Sequence, residues 1–266
     1  MQATINGFRM NFAVEGPEAA PAVILHHPLA TDLTVWDELT AALLPRYRVV
    51  RFDARGHGAS EATSAPYDFA MLGADVTGLM DHLAIARAHY LGLSMGGMVG
   101  QHLGLEQPQR FASLVLCSTS SRIPAEAQPL WDERVKVARE KGMASQVELA
   151  LSRWLADSTR TGNPALVARM TRYIESTPIE GYAGWCQAIR SLNVTDRLKS
   201  ISLPTRVIVG AEDPSTPPAA AQVIHREIAG SDLVEVPGTS HQLQVEDPAA
   251  FNRHVREFLD RQPPVA

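Results

Sequence analysis

The sequence predicts an α/β fold: a mostly parallel eight-stranded sheet with helices on both faces and a helical segment inserted late in the chain. Three observations predict it. Short continuous apolar runs, such as Ala22-Val23-Ile24-Leu25, alternate with helical stretches up to residue 117, the pattern of strands buried on both faces. That rhythm stops from about Arg122 to Asp196 and resumes at Thr205-Arg206-Val207-Ile208-Val209. Between them, Gly92-Leu93-Ser94-Met95-Gly96-Gly97 joins a buried run to a helix-like stretch.

In chain order, Asn6-Gly7 between Thr4-Ile5 and Phe8-Arg9-Met10 reads as a hairpin turn. Strands follow over 10–14, 22–25 and 47–52, the last ending in Asp53-Ala54-Arg55-Gly56-His57-Gly58. Trp36 to Leu44 and Tyr67 to Leu83 repeat apolar residues at helical spacing, and Met98 to Glu106 reads as a third helix. Ala88 to Leu93 and Phe111 to Cys117 are further strands. This alternation implies parallel strands with right-handed crossovers. Residues 131–142, 144–155, 164–174 and 180–192 all look helical, so 122–196 is expected to be a cap inserted between core segments 1–121 and 197–266. A helix over 217–228, a strand over 233–236 and a helix over 248–261 complete the core, and Pro263-Pro264 is expected to end the ordered chain.

The chain has 266 residues, enough for one large α/β domain with an insertion. Its 45% hydrophobic and 20% charged composition is ordinary for a globular protein. A net charge of -5 argues against a nucleic-acid surface or a polybasic membrane contact. No apolar stretch approaches the roughly 20 residues of a membrane span, and the start lacks a signal-peptide pattern. Cys117 and Cys186 form neither a disulfide framework nor a metal-ligand spacing. A cytoplasmic location is the expectation, with a homo-oligomer left open.

A serine flanked at two residues either side by glycine, at a strand-to-helix junction, is a nucleophile elbow. The turn is too tight for side chains at Gly92 or Gly96, and it leaves the Ser94 hydroxyl above the sheet at the positive end of a helix. A serine hydroxyl needs a base, and the base needs an orienting carboxylate. In such a fold the order is Ser, acid, His. Asp213 follows a late strand in Gly210-Ala211-Glu212-Asp213-Pro214, with Glu212 the nearest competitor, and His241 follows the last strand in Gly238-Thr239-Ser240-His241. Asp53 precedes the serine and falls in the wrong order, while His57 reads as a structural residue of its turn.

An oxyanion hole needs a second amide beside that of Met95. In the loop His26-His27-Pro28-Leu29-Ala30, Pro28 has no amide hydrogen, so Leu29 is the candidate. Adjacent His26 and His27 raise a metal site, but consecutive strand residues point to opposite faces. One of the pair is expected to line the pocket or pack under the loop. No metal or organic cofactor is expected. Within the inserted segment, Trp131, Arg134, Arg153, Trp154, Trp185 and Arg190 cluster. Arg with Trp suits a small substrate with a carboxylate and a flat apolar part. Helix-surface arginines and core tryptophans are the alternative.

The chain resembles the α/β-hydrolase superfamily, and within it the 3-oxoadipate enol-lactonases. The resemblance rests on Leu29-Ala30-Thr31-Asp32-Leu33-Thr34-Val35-Trp36, Phe52 through Ser60, Gly92 through Met98, Glu180 through Arg190, and the acid loop. It departs where those lactonases carry Ser-Asn-Ser-Leu-Gly and this chain has His26-His27-Pro28-Leu29-Ala30, and where acidic residues give way to Ser191-Leu192-Asn193. The resemblance implies a serine hydrolase of a small carboxylic ester or lactone, with an enol-lactone of a dicarboxylic acid foremost. A C–C or amide-bond hydrolase, a general carboxylesterase and a non-catalytic ligand-binding member of the fold are the alternatives.

Overall fold

The computed structural model describes residues 1–44 and 46–263, so the expected stop at Pro264 lies outside the described residues. Eight strands form one sheet: β1 (Gln2–Ile5), β2 (Phe8–Glu15), β3 (Ala22–His26), β4 (Arg48–Phe52), β5 (Ala88–Leu93), β6 (Phe111–Cys117), β7 (Thr205–Gly210) and β8 (Asp232–Val236). Their spatial order is β1-β2-β4-β3-β5-β6-β7-β8. The β1–β2 and β2–β4 pairs are antiparallel and every other pair is parallel. Asn6 and Gly7 both have positive φ, 48° and 82°, as the tight β1–β2 hairpin requires.

The helices are α1 (Asp37–Leu43), α2 (Phe69–His82), α3 (Met95–Glu106), α4 (Gln128–Lys141), α5 (Val147–Trp154), α6 (Asp157–Gly162), α7 (Pro164–Ser176), α8 (Ile179–Arg190), α9 (Pro218–Glu227), α10 (Leu243–Glu246) and α11 (Pro248–Leu259). Strand residues alternate between two apolar layers. Ile24, Tyr90, Leu114 and Val207 pack with Val76 and Leu79 of α2, Leu103 of α3 and Ile224 of α9. Val23, Leu91, Val115 and Ile208 pack with Leu39 of α1 and with Phe251 and Val255 of α11. Burying both faces is what allows unbroken apolar strands.

Local chemistry moves several helix ends from their expected positions. The expected helix from Trp36 starts as a 3-10 turn at Leu33, because the Asp32 carboxylate accepts the Thr34 amide. Asp68 caps α2 by accepting the Met71 amide, which leaves Tyr67 outside the helix. Helix α3 begins directly after Ser94 rather than at Met98. The short α6 and α10 have too few residues to show a period, and the sequence reading lacks both.

Between β6 and β7 every regular element is a helix or a 3-10 turn. The two ends of this segment are tied together. Ile123 donates to Leu192 O at 2.9 Å and Val194 to Ser121 O at 2.8 Å, closing a bridge between Arg122 and Asn193. No described helix is long and apolar enough to cross a membrane.

Candidate active site

Four loops meet at the carboxyl ends of β3, β5, β7 and β8, where ligands bind in open α/β sheets. The first carries Leu29, the second Ser94, the third Asp213 and the fourth His241. Ser94 has φ 55° and ψ -112°, a backbone state that side chains rarely adopt. The glycines explain how it is held. A Cβ on Gly92 would fall onto Gly96 O, and one on Gly96 would fall onto His26 O. Ser94 N–H donates to Cys117 O at 2.9 Å, and Ser94 O accepts the Thr119 hydroxyl at 2.8 Å. Those bonds fix the backbone and leave the side chain at the cavity wall.

His241 Nδ1 lies 2.8 Å from Asp213 Oδ2, and both residues are buried. Asp213 is held on every side. Its Oδ1 accepts the Ser215 and Thr216 amides at 2.7 and 3.0 Å, and its Oδ2 accepts the Thr216 hydroxyl at 2.7 Å. Burial works to raise the Asp213 pKa, but the His241 charge and hydrogen bond, with the Thr216 donors, outweigh it and lower it. An ionised carboxylate in that place fixes the imidazole with its proton on Nδ1 and turns Nε2 outward as an acceptor. Glu212, the competing acid, is exposed.

Ser94 and His241 line one solvent-open cavity of about 790 Å³, roofed by helices from the segment between β6 and β7. Leu29, Trp131, Arg134 and Trp154 also line it. Met95 contributes no side chain to this wall, but its amide opens α3 beside Ser94. Among the described residues, neither the Leu29 nor the Met95 amide donates to a protein acceptor. The next amide, Ala30, is taken by His57 Nε2 at 3.0 Å.

Two arginines face the cavity. Arg134 stacks over the Trp131 ring at 4.5 Å, and Arg153 donates to the Ser215 hydroxyl at 3.4 Å. Burial lowers the Arg153 pKa, and the Arg134 charge lowers it further, so the two cations feel each other. Among the described residues, no carboxylate pairs with either one. Unpaired guanidinium groups beside apolar walls suit an anionic ligand with a flat body.

Trp185, Arg190 and both histidines of the His26-His27 pair lie outside the cavity lining. Trp185 is fully buried and donates its indole N–H to Arg55 O at 2.8 Å, beneath the loop rather than in the cavity. Arg190 is half-buried on the outer surface and paired with Asp132 at 3.1 Å. Both histidines of the His26-His27 pair lie beneath the loop. Tyr90 O–H donates to Gly96 O at 2.7 Å, so His26 Nδ1 must be the donor to the Tyr90 oxygen, also at 2.7 Å. His27 Nε2 accepts the Ala54 amide at 2.9 Å while its Nδ1 donates to Pro28 O at 2.8 Å. His26 thus braces the elbow and His27 braces the loop, each as a neutral ring. Burial lowers both pKa values. Asp53, set aside on chain order, accepts the Leu33 and Ala59 amides at 2.8 Å each.

Sequence reasoning missed Thr216 and Ser215, which wrap the Asp213 carboxylate. The run Asp213-Pro214-Ser215-Thr216 carried the signal, because an aspartate often accepts the amides two and three residues on.

The alpha/beta hydrolase fold family matches residues 21–248. The chain is 36% identical to 3-oxoadipate enol-lactonase 2 of Acinetobacter baylyi, over 97% of this chain and 96% of that one. It is 29% identical to a putative carbamate hydrolase, RutD, of Variovorax paradoxus, over 95% of this chain and 96% of that one. The crystal structure of the enol-lactonase from Burkholderia xenovorans LB400 superposes with a TM-score of 0.95 at 36% identity, covering 98% of this chain and all of that one. With its eight-stranded sheet and a match that spans most of its length, the chain belongs to the alpha/beta hydrolase fold family.

Proposed function

We propose that the chain hydrolyses a small carboxylated ester or lactone, with 3-oxoadipate enol-lactone as first choice, through Ser94, His241 and Asp213. One observation carries the reading. The strained Ser94 shares a cavity with a histidine bonded to a buried aspartate, and two unpaired arginines face the same space. The similarity to enol-lactonases at 36% identity supports the choice of substrate.

Ser94 Oγ attacks the carbonyl carbon as His241 Nε2 takes its proton. The amides of Leu29 and Met95 stabilise the oxyanion at the positive end of α3. Collapse breaks the ring C–O bond, and His241 returns its proton to the leaving oxygen. That oxygen stays tethered, so water, activated by His241, must cleave the acyl-enzyme before the ring recloses. Arg134 and Arg153 hold the free carboxylate, and Trp131 and Trp154 flank the acyl chain. We read residues 122–196 as the cap over this cavity.

Ser94→Ala is expected to lower turnover of an activated ester by at least about a thousandfold. Retention of most activity would sink the assignment. A panel of enol-lactone, simple lactones, short acyl esters and a carbamate then reads the substrate class, with the enol-lactone expected to give the largest kcat/KM.

A further inference from the structure

The two residues that flank His241 in the chain are both anchored to the cap. Gln242 N–H donates to Trp154 O at 2.9 Å. Ser240 N–H donates to Glu246 Oε2 at 2.6 Å, and Glu246 Oε1 accepts the Ala156 N–H at 2.8 Å. A single carboxylate therefore spans the loop before the histidine and the junction between α5 and α6. Further contacts stitch the same place. The Ser240 hydroxyl reaches Arg153 O at 3.4 Å, and the Ser215 hydroxyl reaches it at 3.3 Å. Ser215 in turn donates its amide to Asp213. Helix α5 also carries Arg153 and Trp154 into the cavity wall.

We propose that Glu246 is a positioning residue that couples the cap to the loop bearing His241, so that the placement of the base depends on the cap. The proposal rests on the reading above that His241 is the base. A carboxylate suits this joint because it offers an acceptor oxygen to each amide. A glutamine offers one oxygen, and its NH2 would confront the second N–H. The joint makes the α5–α6 end of the cap a fixed part of the active site.

Two variants test it from opposite sides. Glu246→Gln removes the acceptor of one amide N–H at the joint. Ala156→Pro removes the cap's donor at a buried residue, 4% exposed. Ala156 has φ -58° and ψ 150°, and Leu155 before it φ -118° and ψ 137°, so both residues already suit a proline at 156. One p-nitrophenolate released per molecule from diethyl p-nitrophenyl phosphate, which phosphorylates the serine without turnover, counts functional sites, so kcat on p-nitrophenyl acetate is read per site, free of losses to misfolding. Glu246→Gln is expected to lower kcat per site by about tenfold or more, and Ala156→Pro by about threefold, with KM for this short ester moving less than about twofold. Wild-type kcat per site in Glu246→Gln would overturn the proposal. So would wild-type kcat in Ala156→Pro, because the Glu246 bond to the cap would then play no part in placing the base. Should Glu246→Gln fail to fold, Ala156→Pro decides alone. Absence of this stoichiometric release in the wild-type protein is a separate result, and it would bring down the serine-hydrolase reading and this proposal together.

Discussion

Arg153 and Arg190 carry the same side chain on the same helical segment, yet their surroundings give them different tasks. Arg190 is neutralised by Asp132 at the surface. Arg153 is half-buried, has Arg134 for a neighbour, feels the more distant Asp213 charge and, among the described residues, donates only to the Ser215 hydroxyl. Replacing Arg153 by Met is therefore expected to lower kcat/KM for a carboxylated substrate by about ten- to a hundredfold, the worth of a hydrogen bond to a charged group. A neutral acetate ester should lose less than about threefold. Equal losses on both substrates would show that Arg153 shapes the cavity rather than holding an anion. Ser94, Asp213 and His241 were legible because their order and their places after strands are written in the chain. The difference between Arg153 and Arg190 was not, because Asp132 lies 58 residues from its partner. Trp185 was misplaced for a similar reason, since the Arg55 carbonyl that takes its indole proton is 130 residues away.

At the scale of elements, turns and strands were the readable part. The β1–β2 hairpin shows why. Asn6-Gly7 is a local signal, and both residues adopt the positive φ it implies. Gly7→Ala is expected to cost about 1 kcal/mol, because φ 82° is disfavoured for any residue with a Cβ although open space surrounds the position. Urea denaturation at pH 7 measures it, and an unchanged midpoint would mean that the turn relaxes. Helix starts were read less well wherever a side chain rather than apolar spacing sets them, as Asp32 and Asp68 do. The start of α3 at Met95 is a different case. The strained turn at Ser94, not a capping side chain, launches that helix, and no capping hydrogen bond forms there.

Across the whole molecule, the buried histidines set the response to acid. His26 and His57 are held well below the usual imidazole range, first by burial and then by neighbouring histidine charges. His27 is lowered too, burial outweighing the pull of Asp53, and burial with the Arg87 charge pushes His89 down to about 4. For such groups the unfolded chain binds protons that the native state refuses. Stability is therefore complete well above the unfolded value near 6.5 and falls as the pH drops through it. Each ring still neutral at pH 5 withdraws about 2 kcal/mol relative to pH 7. Asp75 and Glu246, both raised by burial, act in the opposite sense over part of that range. A net loss on the order of 5 kcal/mol between pH 7 and pH 5 is expected from urea unfolding. A loss under about 1 kcal/mol would mean that these rings accept protons in the folded state. The paired ends of the helical segment, Ser121 with Val194 and Ile123 with Leu192, have a consequence of another kind. Chain leaving the sheet returns within one hydrogen-bonded step of where it left, so the sheet need not register what lies between. Whole segments of different length and lining can be exchanged at that neck without altering strand order. Such a graft would inherit the nucleophile intact, but it would work only if its own backbone reproduced the Trp154 carbonyl and the Ala156 amide.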